Sequence, residues 1–341
     1  MPALAERTPA RVPEALWRVR LGDAVADLAW TGADSLAAGS ADGALVWLDG
    51  AGAVRAEAPA AHGGGVTRIR PQPRAGRLAS AGEDGCVRLW ADDGRAELLA
   101  QGPGWIEHLD WSADGQLLAA ATGEGIRLWR NGSPLQTWSG GPPVLGLAWA
   151  PDGRRLAGAA NKGVHLWRLG QQGPERLLAF PGAAVSLGWN RAGSALAAGT
   201  QDGFLQVWRR DRRAGARQLT MKGYPGKVSC LTWDPRRDAV ATAGGGEVVL
   251  WRFFAAGGQR ATPLRRHQAA VTALAYAPGG DLLVSGDRAG RLCAWTADGA
   301  PLHELDLDGE ITALAWSGEG RLAAGTVSGL VQTLHFPGSH G

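Results

Sequence analysis

The sequence predicts an all-β fold: a single β-propeller of eight four-stranded blades, with seven blades as the alternative. Three observations carry this. A short pattern recurs eight times along the 341 residues. Within each copy, apolar residues alternate with a period near two over runs of four to six, which is strand spacing and not helix spacing. The copies close on Trp47, Trp90, Trp129, Trp167, Trp208, Trp251, Trp295 and, in the eighth place, Leu334, at intervals of 38 to 44 residues. A fixed period of this length marks a repeat architecture in which one copy cannot bury its own faces.

Each copy opens on Val or Ile, at Val25, Val66, Ile106, Val144, Val185, Val228, Val271 and Ile311, and most run on as x-x-Leu-x-Trp. A turn follows, often Asp-Gly as at Asp114-Gly115 and Asp152-Gly153. Such a pair between apolar runs is a hairpin signal. The second strand is built from small residues, as in Ala37-Ala38-Gly39, Ala197-Ala198-Gly199 and Ala323-Ala324-Gly325. The third ends in Trp. A more variable fourth strand follows, for example Leu135-Gln136-Thr137-Trp138. Sheets arranged radially lie close near the axis and diverge outward, so small residues suit the inner strands and indoles the outer gap.

The eighth copy ends at Phe336 without a fourth strand of its own, while Leu16-Trp17-Arg18-Val19-Arg20 precedes the first copy without a sheet. Residues 16–20 are therefore expected to complete the last blade, since an open ring would leave a sheet edge unpaired. The expected organisation is a flexible N-terminus over 1–14, a propeller over 15–336 and a tail over 337–341. On this reading the flanking segments leave no room for an appended enzyme.

Composition narrows the function. With 45% hydrophobic residues the chain is globular, and no run approaches the length of a membrane span. Met1 to Ala15 carries Glu6, Arg7, Arg11 and Glu14 and lacks the apolar core of a secretory signal. Three scattered cysteines, Cys86, Cys230 and Cys293, fit a reducing compartment, so a cytoplasmic location is expected. Thirty-five basic against 32 acidic residues leave only +3, which does not predict nucleic-acid binding. The densest basic run, Arg209, Arg210, Arg212, Arg213 and Arg217 with Asp211 inside it, reads as a solvated loop, with contact to an acidic partner as the alternative.

The second copy gives the pattern its fullest form, from His62-Gly-Gly-Gly-Val66 to Leu78-Ala79-Ser80-Ala81-Gly82-Glu83-Asp84-Gly85-Cys86-Val87-Arg88-Leu89-Trp90. Here the chain resembles the WD40-repeat family, over about residues 15 to 336. The resemblance implies a hydrogen-bonded structural set at His62, Ser80, Asp84 and Trp90. The seventh copy supplies His267, Ser285 and Trp295 but has Ala289 where the Asp is expected. The Trp-Asp dipeptide of the family is absent, since residues such as Leu48, Ala91 and Arg130 follow the closing indoles. The resemblance further implies a non-catalytic platform that binds other proteins or peptides, as a monomer on its own and a subunit of a larger assembly. The implied face carries the loops leading into each innermost strand and the turns between second and third strands.

On those loops the candidate partner-binding residues are Glu83, Trp105, Lys162, Tyr224, Lys227, His267, Arg288 and Glu310. Trp105 and Tyr224 are prominent because neither fills a repeat core position, and loop aromatics are enriched at interface hot spots. A second constellation breaks the repeat. Arg68, Arg70, Glu107, His108 and Asp110 replace small residues on the innermost strands of copies two and three, which places them near the central channel. The simplest reading is an ion network between blades, because buried charges need partners. The alternative is a polar-ligand, peptide or ion site of a sensor.

No catalytic motif is present: there is no Gly-x-Ser-x-Gly, no phosphate-binding glycine loop with Lys, no His-Glu-x-x-His and no Cys-x-x-Cys. No catalytic residue, metal ligand or cofactor is expected. Glu304, Asp306 and Asp308 are faintly like a calcium loop but read as an outer strand and turn. An enzyme of the kind seen in eight-bladed quinone-dependent dehydrogenases is the remote alternative, by architectural analogy alone.

Overall fold

The structure, a computed structural model, describes residues 13–211, 215–254 and 258–336. The expected flexible N-terminus and C-terminal tail therefore lie almost wholly outside the described residues, as do Arg212 and Arg213. All thirty elements among the described residues are strands. No helix among the described residues is long and apolar enough to cross a membrane.

The first strand is β1 (Glu14–Arg20). Copy one then forms β2 (Val25–Trp30), β3 (Ser35–Ser40), β4 (Leu45–Asp49) and β5 (Val54–Ala58). Copy two forms β6 (Val66–Pro71), β7 (Leu78–Gly82), β8 (Cys86–Trp90) and β9 (Ala96–Gln101). Copy three forms β10 (His108–Trp111), β11 (Leu117–Thr122), β12 (Gly125–Arg130) and β13 (Ser133–Ser139). Copies four and five share β14 (Gly146–Trp149), β15 (Arg155–Arg168), β16 (Pro174–Trp189), β17 (Ala195–Thr200), β18 (Leu205–Asp211) and β19 (Gly215–Met221). Copy six forms β20 (Cys230–Trp233), β21 (Ala239–Ala243), β22 (Val248–Phe253) and β23 (Gln259–Leu264). Copy seven forms β24 (Val271–Tyr276), β25 (Leu282–Asp287), β26 (Arg291–Thr296) and β27 (Pro301–Asp306). Copy eight forms β28 (Ile311–Trp316), β29 (Arg321–Thr326) and β30 (Leu330–His335).

These strands make seven hydrogen-bonded sheets, six of four strands and one of six. The six-stranded sheet joins copies four and five. Leu156 to Ala159 of β15 pair with β14, Asn161 to Trp167 pair with β16, and the end of β16 pairs onward with β17. Eight copies thus lie on seven sheets, which is where the eight-blade reading and its seven-blade alternative meet. In copies three, four and six the first strand begins two residues later than the pattern suggested, at His108, Gly146 and Cys230.

The innermost strands follow one another as β2, β6, β10, β14, β16, β20, β24 and β28, and β28 packs back on β2. The last sheet has the order β1-β30-β29-β28, with Trp17 opposite Thr333 and Ala15 opposite Leu334. The Trp17 indole also donates to the Gly50 carbonyl at 2.9 Å, which ties this outer strand to copy one.

The indole pattern has a physical reason at both of its positions. Closing indoles fill the outer gap between sheets: Trp47 and Trp295 are fully buried, and Trp47 lies 5.6 Å from Trp90. Each such burial contributes up to about 5 kcal/mol before entropy costs. First-strand indoles act differently. Trp30 donates to Ala315 O, Trp111 to Arg70 O, Trp189 to Ala148 O, Trp233 to Gly188 O and Trp316 to Ala275 O, at 2.9 to 3.3 Å. Each of these bonds reaches back to the preceding copy, so the indole latches one blade to its neighbour. The small second strands leave room for the next copy's leading side chain. A Cβ at Gly39 would lie 2.7 Å from Val66 Cγ1, and one at Gly325 would lie 2.4 Å from Val25 Cγ1. The second of these contacts is made across the junction of copies eight and one.

Candidate interaction face and channel

The loops leading into the innermost strands and the turns between second and third strands interlock on one face. Glu83 N donates to Gly65 O, Gly226 N to Gly244 O, Val271 N to Gly245 O, and Arg288 N to Ala270 O. The turns are held in place by their own carboxylates, so the face is built on rigid blades.

Copy two contains the full structural relay. Asp84 Oδ1 lies 2.8 Å from His62 Nδ1, His62 Nε2 lies 2.7 Å from Ser80 Oγ, and the Trp90 indole donates to Ser80 Oγ at 2.7 Å. An indole N–H only donates, so the serine hydroxyl is left to donate to His62 Nε2, and Nδ1 carries the proton toward Asp84. Burial pulls His62 below its ordinary pKa against the opposing pull of Asp84. Burial works against ionisation of Asp84, yet His62, the Gly63 N–H and Arg88 together hold it below the usual carboxylate range.

Copy seven corrects one sequence expectation. Ala289 does occupy the usual place of the acid, but Asp287, two residues earlier, takes the role: Asp287 Oδ2 lies 2.8 Å from His267 Nδ1. His267 Nε2 lies 2.6 Å from Ser285 Oγ, which accepts from Trp295 at 2.9 Å. The imidazole of His267 is fully buried with both nitrogens engaged. It is therefore an internal brace and offers nothing to a partner, contrary to its place among the candidate partner residues. Beside it, burial raises the Cys293 thiol to about 12, which leaves it inert as a nucleophile.

Copy six corrects a second. Tyr224 is turned inward: its hydroxyl meets Thr242 Oγ1 at 2.5 Å and accepts from the Trp251 indole at 2.7 Å. Tyrosine here does the work that His and Ser share in copies two and seven. It too is a brace and not a surface contact, and burial raises its pKa.

The remaining candidates are spread around the face. Trp105 is 59% exposed, on the loop Gly102-Pro103-Gly104 between copies two and three. Glu83 is exposed and accepts from Gly65 N. Lys162 is exposed within β15, with φ of 66° where the pairing with β16 shifts register between Asn161 and Gly163, and Lys227 is exposed just before β20. Arg288 and Glu310 pair with each other at 3.6 Å.

The innermost strands enclose a channel cavity of about 320 Å³. Asp27, Arg68, Arg70 and His108 line one arc, while Leu145, Leu147, Leu187, Leu231, Leu274 and Leu314 line much of the rest. Arg70 makes no ion pair with the carboxylates of copy three among the described residues. Its Nη1 donates to Asp27 Oδ2 of copy one at 2.9 Å, and the same oxygen accepts from Ile69 N at 3.1 Å. Arg68 Nε donates to Glu107 O. Asp110 reaches forward and accepts from the Trp149 N–H of copy four at 2.6 Å. Burial, reinforced by Arg68 and Arg70, lowers His108 to about 4, and burial raises Asp110 to about 6. Among the described residues no three His, Cys, Asp or Glu are grouped to hold a metal ion. Glu304 and Asp306 pair with Arg291, and Asp308 with Arg20, so the calcium-like run is spent on ion pairs.

Against known proteins, a family model described as "WD domain, G-beta repeat" matches residues 58–91, 132–168, 215–252 and 258–296. Curated relatives include THO complex subunit 3 of Arabidopsis thaliana, 30% identical over 45% of this chain and 49% of its own length. Meiotic fizzy-related protein 1 of Schizosaccharomyces pombe is 29% identical over 39% of this chain and 31% of its own. The chain spans about half or less of the length of these relatives. Among solved structures, the C-terminal WD40 domain of Sif2 superposes with a TM-score of 0.79 over 96% of this chain and 99% of that one, at 17% identity. The computationally designed Ika8 protein gives 0.77 over 93% and 97%, at 22% identity. Four stretches of the chain are thus similar to the WD40 repeat, and the fold is that of the WD40 β-propellers it superposes on.

Proposed function

We propose that this chain is a non-catalytic scaffold of the cytoplasm, which binds partner proteins or peptides through the face bearing the lead-in loops. The observation that carries this reading is Trp105, a large apolar side chain left 59% exposed on a Gly-Pro-Gly loop of that face. Exposed aromatics on rigidly held loops are favoured anchors for protein partners. Glu83, Lys162, Lys227, Arg288 and Glu310 supply charged groups elsewhere around the same face. A relative named as a complex subunit supports a place within a larger assembly. On its own the chain is read as a monomer. No nucleic-acid or membrane contact belongs to the reading.

The test is affinity purification of the tagged chain, with Trp105→Ala and Lys227→Glu in parallel, read by quantitative mass spectrometry. Loss of a partner set from the variants, with unchanged thermal melts, supports the face. Equal recovery from all forms overturns it.

A second reading, a sensor of a small ligand or ion, rests on the polar arc of Asp27, Arg68, Arg70 and His108 in the channel. Native mass spectrometry of the purified chain tests it: a bound small molecule or ion lost on Arg68→Ala supports it, and a bare chain overturns it.

A further inference from the structure

A second surface lies away from the lead-in loops, where copies four and five join into one sheet. A groove of about 350 Å³ runs between the outer strand of copy four and the outer strands of copy five. It includes the turn at Gly193–Ser194, which joins first to second strand and so sits at the opposite end of the blade from the lead-in loops. Five arginines are among its lining residues, Arg155, Arg176, Arg209, Arg210 and Arg217, although the Arg209 guanidinium itself turns away over the Phe253 ring of copy six. Arg155 is neutralised by Asp152 and Arg209 by Asp238. Arg176, Arg210 and Arg217 are exposed and make no side-chain ion pair among the described residues. The floor between them is apolar, with buried Leu166, Leu178 and Leu196, and Leu177 beside it is 47% exposed.

Arg209 and Arg217 stand directly opposite one another in the β18–β19 register; Arg209 spends its charge on Asp238, and Arg217 has no such acid among the described residues. The chain as a whole carries only +3, so the grouping of these cations does not follow from an overall basic composition.

We propose that the groove docks an acidic peptide segment of a partner protein, carboxylates on Arg176, Arg210 and Arg217 and an apolar side chain on the leucine floor. Guanidinium groups pair with carboxylates in bidentate fashion, and desolvation against the leucines strengthens such pairs. The short reach of the cationic strip and its apolar floor favour a peptide over a nucleic acid, which follows a longer basic track with stacking aromatics. The surface is separate from the lead-in loop face, and the two stand or fall independently.

The test uses the full-length chain and a fluorescein-labelled peptide with Asp and Glu flanking a central Leu, read by anisotropy. Comparators are the same peptide with Asn and Gln for the acids and a labelled oligo-thymidine strand. The expected result is binding of the acidic peptide that weakens between about 50 mM and about 300 mM salt as screening grows. A loss of about tenfold or more in Arg176→Glu/Arg217→Glu, with no change in Arg55→Glu on copy one, supports the proposal. Melting curves establish that the double variant folds; if it does not, Arg176→Gln/Arg217→Gln takes its place with a loss in the same direction. Binding equal in wild type and variants, absent in wild type, or tighter for the oligonucleotide overturns it.

Discussion

The Trp251 indole and the Tyr224 hydroxyl meet at 2.7 Å, and Tyr224 in turn meets Thr242 at 2.5 Å. One side chain from a lead-in loop thus satisfies the buried donor of a closing indole, where copies two and seven use two. Tyr224→Phe keeps the ring but removes the acceptor. It is expected to cost about 1–3 kcal/mol, the range for a buried donor left unmade, in urea unfolding. Recovery of protein partners is expected to be unchanged, which separates a brace from an interface residue.

Ser80 and Ser285 make the corresponding prediction for copies two and seven. Each hydroxyl serves an indole and an imidazole. Ser80→Ala and Ser285→Ala are each expected to cost about 1–3 kcal/mol, and to add in the double variant because the sites lie in different blades. Denaturant melts check both the size and the additivity.

Much of this was legible in the sequence. The repeat interval, the Ala-Ala-Gly strands and the indole positions are all set by packing between neighbouring sheets, and packing has a period. Closure through residues 16–20 was legible as well, from a strand with no sheet and a sheet with no fourth strand. What was not legible depends on where single side chains turn. Asp287 sits two residues from the expected acid, and only the turn geometry brings it to His267. Tyr224 was readable as a loop aromatic, but not as one folded back onto Trp251. The repeat placed Arg70 and Asp110 in one polar cluster near the channel and gave no means of telling that Arg70 reaches to the preceding copy. The fusion of copies four and five arises because pairing continues from Asn161 opposite Ala183, a register no pattern announces.

The Arg70–Asp27 pair joins copies one and two inside the channel. Asp27 is buried, and removing the closer of its two guanidinium partners leaves a carboxylate held by backbone N–H groups and by Arg68 at 3.9 Å. Arg70→Leu is expected to destabilise by more than about 2 kcal/mol. A thermal melt checks it, and a wild-type midpoint would show that the pair contributes nothing.

His108 and Asp110 give opposite pH dependences. His108 is lowered to about 4 from 6.5, so as pH falls through that window the unfolded chain takes a proton the folded one refuses, and stability drops. Asp110 is raised to about 6 from 3.8, so the folded chain holds a proton that the unfolded one releases, and stability drops as pH rises through that window. His108→Gln is therefore expected to gain stability relative to wild type as pH falls from 6.5 toward 4. Asp110→Asn, which can still accept from Trp149 N–H, is expected to gain as pH rises from 4 toward 6. Each difference is of the order of 1–3 kcal/mol, read from urea melts at the two ends of the window.

The pairing of β1 with β30 makes a clasp between segments some three hundred positions apart in the chain. Among the described residues no other sheet depends on so distant a partner, so this one carries the largest loop-closure cost. It also means that the place where the backbone is interrupted is a matter of convenience. A permuted chain, with old ends linked and new ones opened between copies two and three, would keep the clasp's hydrogen bonds while turning its slowest contact into a local hairpin.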